Sequence, residues 1–324
     1  MLRHQTTGRR FLGLALASCA VVQWGTQPVV LKILVQSLDV FTLAWMRFVA
    51  TAVLLFPLAI RRGGLAVLLR LRGRQLLLLG VAVFGLLANY LTYMAGLAYV
   101  TPGTAQMVNQ LAPMLMLLGS LWIYGEPFGR LQWVGLAVLV VGLGLFFSPR
   151  FDELTSDSHA LAKGVALGVI SAVFWAIYLL SQKQLLNILR PELVLLAVYL
   201  TGTIAVFPLA HLPDYAQLNH LHLLLLAGTC LMTFLSYMCF ANSIVHLEAS
   251  RVGLVISLNP LVALLMAALF ASLLPGLMQP ESLTLPSAAG AACVVAGSML
   301  GALGNAGVGR TESGAAKREK AGDG

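Results

Sequence analysis

The chain has 324 residues, 59% of them hydrophobic and only 10% charged, with a mean hydropathy of +0.88 and a formal net charge of +8. So much apolar surface with so few charges excludes a water-soluble globule. Basic residues gathered in short loops and tails make the positive charge a matter of membrane topology, with no nucleic-acid partner implied.

The N-terminal stretch carries Arg9-Arg10-Phe11-Leu12, which resembles a twin-arginine export signal, and Leu16-Ala17-Ser18-Cys19, which resembles a lipoprotein cleavage site. The apolar run continues past Cys19 to Val29 and Val30, too long for a signal's hydrophobic core, and predicts a retained first helix after a short tail, residues 1–10. From there, charges and Pro/Gly breaks divide the chain into ten segments near the ~20 residues that cross a bilayer. The first five are Phe11 to Leu34, Val40 to Ile60, Leu76 to Val100, Thr101 to Tyr124 and Leu131 to Phe147. A polar connector, Ser148 to Lys163, comes next. The second five are Gly164 to Gln182, Leu193 to Ala210, Leu221 to Val245, Val252 to Leu274 and Pro286 to Leu303. Residues 304–324 are Gly, Ala and charge, which predicts a disordered tail. Cys19, Cys230, Cys239 and Cys293 lie in apolar segments without paired spacing, which predicts neither disulfide nor metal site.

Residues 11–147 and 164–303 read as copies. Gly13 and Gly164, Trp24 and Trp175, and Pro57 and Pro208 are each 151 positions apart, and FPLA recurs at Phe56 to Ala59 and Phe207 to Ala210. Tyr90 with Tyr237 and Pro113 with Pro260 are 147 apart, so the second copy has a shorter link between its second and third helices. Glu126 with Glu281, Gly135 with Gly290 and Gly142 with Gly297 are 155 apart, marking an insertion that carries Pro275 and Pro280. Because each copy has an odd number of helices, the second enters the membrane from the opposite side, and the repeats are inverted.

The basic residues give an orientation independently. With the N-terminus inside, Arg9, Arg10, the cluster Arg61 to Arg74, Arg130, Lys183, Arg190, Arg251 and the C-terminal Arg310 to Lys320 are all cytoplasmic. The outer connectors keep only Arg150 and Lys163, which predicts that both termini are cytoplasmic.

In the fourth segment Gln106, Asn109, Gln110 and Pro113 follow i, i+3, i+4, i+7 spacing, so they share one helix face. No charge occurs between Arg74 and Glu126, and amides that deep need either interhelical hydrogen bonds or a wet, solute-binding cavity. Trp24 and Trp175 sit near the middle of their segments, where core packing and substrate stacking both remain open. Tyr90, Tyr93, Tyr178 and Tyr237 carry hydroxyls that must find partners at depth, where a neighbouring carbonyl would serve. Pro28, Pro113 and Pro260 break backbone bonds at positions matched between the halves for the latter two, and such breaks mark either a transporter's site and gate or static kinks. Arg47, about seven residues inside the second helix, is the most expensive residue in the chain. It anchors an anion, or else it snorkels outward or bonds to carbonyls. Glu126 and Glu281 lie at segment ends and read as loop anchors rather than proton carriers.

The sequence resembles the EamA family of the drug/metabolite transporter superfamily over about Phe11 to Leu303. The marks are Trp24 and its echo Trp175, Ala112 to Glu126 (APMLMLLGSLWIYGE), Trp133 to Phe147 (WVGLAVLVVGLGLFF) and Ser250 to Leu265 (SRVGLVISLNPLVALL). The link from Pro260 to Glu281 departs from that pattern. The resemblance implies an all-α integral membrane fold of ten helices, and a small-molecule carrier, often an exporter of amino acids or related metabolites, in the bacterial inner membrane. It also implies peripheral fifth and tenth helices, with the first, third, fourth, sixth, eighth and ninth around a central cavity. The polar residues of those helices complete the candidate site: Gln23 and Gln27 on the first, Asn89 on the third, Asn242 on the eighth, Ser257 and Asn259 on the ninth.

No GxxxxGK[ST] phosphate loop occurs, and no acidic residue lies mid-helix, so the expected protein is a secondary carrier with no cofactor and no midplane proton carrier. Its partners are a small-molecule solute and membrane lipids, with a homodimer left open. Two rival readings are a non-transporting scaffold or receptor, and a membrane enzyme on lipid-linked substrates, for which no catalytic carboxylate pair or His/Asp cluster is found.

Overall fold

A computed structural model of the protein describes residues 9–61, 64–125, 128–155, 159–211, 218–247, 249–277 and 283–322. Glu126 and Glu281 lie outside these residues. All regular structure in them is helical: α1 (Arg10–Leu34), α2 (Val40–Arg61), α3 (Gly64–Leu69), α4 (Arg74–Leu97), α5 (Pro102–Asn109), α6 (Leu111–Tyr124) and α7 (Arg130–Phe147) form the first repeat. After a 3-10 turn at Ser148–Arg150 and α8 (Phe151–Thr155) come α9 (Ala160–Leu185), α10 (Pro191–Val206), α11 (His220–His246), α12 (Ala249–Ile256), α13 (Asn259–Leu273) and α14 (Leu285–Gly322). Ten spans among the described residues are long and apolar enough to cross a membrane, with α5 and α6 making one and α12 and α13 another. An even number of spans puts the start of α1 and the end of α14 at one end of the bundle, here the terminal end; the opposite one is the far end.

Local chemistry starts and stops these helices. Asp39 accepts hydrogen bonds from the amides of Phe41 and Thr42, 2.9 and 3.0 Å away, at the head of α2, and Asn219 does the same for the amide of His222 in α11. α5 opens with Thr101 as N-cap and Pro102 in the first turn. α6 closes on Gly125 in the left-handed region, φ 63°. The last helix, α14, runs on to Gly322.

The packing repeats with the sequence. α1 pairs with α11 as α9 pairs with α4, and α2 pairs with α10. α7 and α14 form a separate pair of closely packed helices. At Gly142 a Cβ would stand 2.6 Å from the backbone nitrogen of Val294, and at Gly297 a Cβ would stand 2.6 Å from the carbonyl oxygen of Gly135, so only glycine admits this approach.

Two spans are broken at their middles, each for the same reason. A proline at position i clashes with the carbonyl of residue i−4 and offers it no N–H. α5 ends at Asn109, four residues before Pro113, and α12 ends at Ile256, four residues before Pro260. At the far end α5 packs against α1, α9 and α13, and every residue from Pro102 to Val108 is buried. At the terminal end α6 packs on α9, and α12 on α1 and α14, so the two halves diverge.

Candidate functional site

Between the two breaks lies a cavity of about 140 Å³. One water needs roughly 10–15 Å³, and a cavity of about 150 Å³ holds a benzene-sized molecule. One wall is aromatic. Trp24 and Tyr237 meet nearly perpendicular with ring centroids 5.7 Å apart, and Trp175 lies 6.3 Å from the same tyrosine ring, so the two repeat-related tryptophans flank one tyrosine. Trp175 packs in turn on Tyr178 at 5.3 Å. The other wall is polar, made by Arg47 of α2, Asn89 and Tyr93 of α4, Gln106 and Asn109 of α5, Gln110 in the break, and Asn259 at the head of α13.

The hydrogen bonds divide these polar groups into committed and uncommitted ones. Pro28 leaves the carbonyl of Trp24 without its helical donor, and Gln106 Nε2 supplies one at 2.9 Å. Gln110 Oε1 accepts from Ser298 Oγ at 3.0 Å, tying the break to α14. Asn89 Nδ2 donates to the carbonyl and hydroxyl of Ser171, 3.0 and 2.8 Å away, and so joins α4 to α9. The amide face predicted as a solute site is therefore in part a set of clamps, which is the interhelical alternative. Asn109 is half-buried, with one long contact of 3.5 Å to Gln106. The hydroxyl of Tyr93 and the side-chain oxygen of Asn259 are buried without a hydrogen-bond partner.

Arg47 neither snorkels nor reaches backbone carbonyls. It is 2% exposed, with Nε and Nη2 on the hydroxyl of Thr233 at 3.2 and 3.0 Å, Nη1 3.6 Å from the sulfur of Met94, and its guanidinium carbon 4.8 Å from the centroid of the Tyr90 ring. The cation–π contact and the hydroxyl soften its burial, but no carboxylate meets it among the described residues. Lys32, another cation within a span, is differently used: its Nζ caps α4 by donating to the carbonyls of Leu97 and Ala98 at 2.8 and 3.0 Å.

Five candidates lie outside the cavity lining. Gln23 donates one turn back to the carbonyl of Cys19, 3.2 Å away, and exposed Asn242 does so to that of Met238, 2.7 Å away. Ser257 Oγ donates to the carbonyl of Gly253 at 2.9 Å, Tyr178 is enclosed behind Trp175, and Pro260 acts only through the break that it makes, whereas Pro28 and Pro113 also touch the cavity. A polar residue at depth satisfies itself on its own helix when its face turns from the cavity.

On the first helix it is Gln27, one turn beyond Gln23, that faces the cavity, and its Nε2 converges with Arg47 on the hydroxyl of Thr233. Sequence reasoning placed the Tyr90 hydroxyl at depth but left it out of the site, and it missed Thr233. Tyr90 lines the cavity and pairs its hydroxyl with that of Tyr199 at 2.8 Å, and its match with Tyr237 in the repeat was the available signal. Nothing local marked Thr233, which lies 186 residues from Arg47. The helix assignment implied by resemblance also left out α2, which brings Arg47.

The repeat shows how the site became asymmetric. The aromatic frame is duplicated, Trp24 with Trp175 and Tyr90 with Tyr237, but the polar wall is not: at the matching offsets Arg47, Tyr93, Gln106 and Asn109 become Val198, Phe240, Gly253 and Ile256. The first repeat supplies most of the polar chemistry and the second, Asn259 apart, a mostly apolar surface.

Comparison with known proteins extends over nearly the whole chain. A family model described as the EamA-like transporter family matches residues 11–148 and 162–302. An uncharacterized transporter of Haemophilus influenzae is 32% identical over 294 residues, covering 91% of this chain and 95% of that protein. The uncharacterized inner membrane transporter YhbE of Escherichia coli is 32% identical over 295 residues, covering 91% and 92%. A crystal structure of a protein at 18% identity superposes with a TM-score of 0.61 over 91% of this chain and 98% of that one, a likeness of fold alone.

Proposed function

The chain belongs to the EamA-like transporter family, and from that premise we propose that it is a secondary carrier that exports small polar or amphipathic metabolites, amino acids among the candidates, by alternating access. It is a multi-pass inner-membrane protein. The observation that carries the reading is the cavity at the junction of two proline-broken spans, matched between inverted repeats, where secondary carriers hold their solute. At its far end α5 packs on α13, while α6 and α12 diverge at the terminal end. Rocking of one repeat against the other would exchange these arrangements. With both termini cytoplasmic, as the basic residues imply, the diverged end faces the cytoplasm and the cavity loads from inside, which fits export.

Comparing extracellular metabolites of a deletion strain and an overproducer tests the function. A solute enriched outside the overproducer, depleted outside the deletion strain, and moved by the purified protein in liposomes is the expected result. Unchanged metabolite profiles, or no flux of the enriched solute in liposomes, would overturn the carrier reading.

A further inference from the structure

We propose that the solute carries a carboxylate and that Arg47 is its anchor, with the apolar body of the solute along Trp24, Tyr237 and Trp175; this rests on the reading of the central cavity as the solute site. A guanidinium has five N–H groups, a hydroxyl oxygen two lone pairs and a thioether sulfur little accepting power. Thr233 Oγ1 faces three donors within 3.2 Å, from Arg47 Nε, Arg47 Nη2 and Gln27 Nε2, so it cannot satisfy them all. Arg47 therefore lines the cavity with strong donors to spare and, among the described residues, no carboxylate against its charge.

Position adds to this. Arg47 is the eighth residue of α2, roughly 10 Å in from the helix start at 1.5 Å per residue. A charge placed there, where the matching position of the other repeat holds Val198, points to an ionic partner. A carboxylate fits the planar fork bidentately and neutralises it. Two further buried groups without partners line the cavity: the Tyr93 hydroxyl can donate to the carboxylate, and the Asn259 oxygen can accept from a donor elsewhere on the solute. Among the described residues, no acidic side chain lines the cavity to receive a cationic solute.

Benzoate, benzamide and benzylamine are similar in size to what the cavity holds and differ in charge. Thermal unfolding of the purified full-length protein in detergent is followed with each probe at about 10 mM, against sodium chloride of equal ionic strength; a ligand of the native state stabilises it by RT ln(1 + [L]/Kd). Benzoate should raise Tm with saturation, and benzamide and benzylamine should not. Arg47→Gln should weaken the apparent benzoate affinity at least tenfold. Arg47→Lys, which keeps the charge without the fork, should retain a weaker response and serves if the Gln variant does not fold. Equal shifts from benzoate and benzamide, no shift from benzoate, or an undiminished shift in Arg47→Gln would each overturn the assignment. Failure of the carrier reading would show separately, as a benzoate shift in a protein that moves no solute in liposomes.

Discussion

The carbonyl of Trp24 allows a sharp test of how the first helix is held at Pro28. Pro28 denies it an in-helix donor, and Gln106 reaches across from α5 to provide one. Gln106→Leu keeps the approximate length, removes that donor and leaves a buried acceptor alone, at a cost of about 1–3 kcal/mol by the general penalty for an orphaned group. Hydrogen bonds inside membrane bundles average about 0.6 kcal/mol, and the neighbouring cavity can admit water, so about 1–2 kcal/mol is expected. Pro28→Ala changes the arithmetic, because the alanine restores a backbone N–H that can donate to the carbonyl of Trp24 in the i to i−4 pattern. In that background Gln106→Leu should cost less than about 0.5 kcal/mol, giving a coupling near 1 kcal/mol in the double-mutant cycle. Unfolding of all four proteins in mixed micelles, by SDS titration, measures it. Equal costs for Gln106→Leu in both backgrounds would refute the idea that Gln106 is present in the fold as the replacement for a proline's missing donor.

Gly142→Leu should prevent the approach of α14 to α7 and destabilise the protein by at least about 1–3 kcal/mol, the usual penalty of overpacking, whereas Gly144→Leu, which meets nothing within 4 Å, should be near neutral; thermal melts of the pair check the contrast. Because Gln110 is tied to Ser298 as well as facing the cavity, Gln110→Leu should lower stability and reduce solute flux per folded molecule at least tenfold, about 1.4 kcal/mol in transition-state terms, while Ser298→Ala should reproduce only the stability loss; intact flux in folded Gln110→Leu would remove Gln110 from the solute site. Reporters fused after Ala316 and within Arg61 to Arg74 should report cytoplasm, and one between Arg150 and Lys163 the outside; an external C-terminus would reverse the orientation.

The medium, the number of crossings and the duplication can be read from the chain alone. Hydrocarbon thickness fixes span length, and backbone satisfaction fixes helix as the form that crosses it, so apolar runs punctuated by Arg and Pro are read almost one for one as spans. The breaks at Asn109 and Ile256 were legible too, because a proline acts on the carbonyl four residues before it wherever the helix lies. Local rules gave out where the outcome depended on residues farther along the chain or on a facing helix. FPLA is helical inside α2 but a 3-10 turn after α10, Phe207–Leu209, where His211-Leu212-Pro213 comes next in place of Ile60, Arg61 and Arg62. The amide face was visible as a stripe, yet only the assembled bundle decided that Gln106 and Gln110 clamp Trp24 and Ser298 while Tyr93 and Asn259 stay without partners. The same holds for Arg47. Its cost was plain from depth alone, but whether it snorkels, bonds to carbonyls or faces a cavity depends on the partners that α4 and α11 bring beside it from 47 and 186 residues away. A hydrogen bond is a matter of a few tenths of an ångström, and between helices that distance is set by packing across the bundle, which no periodicity along the chain encodes.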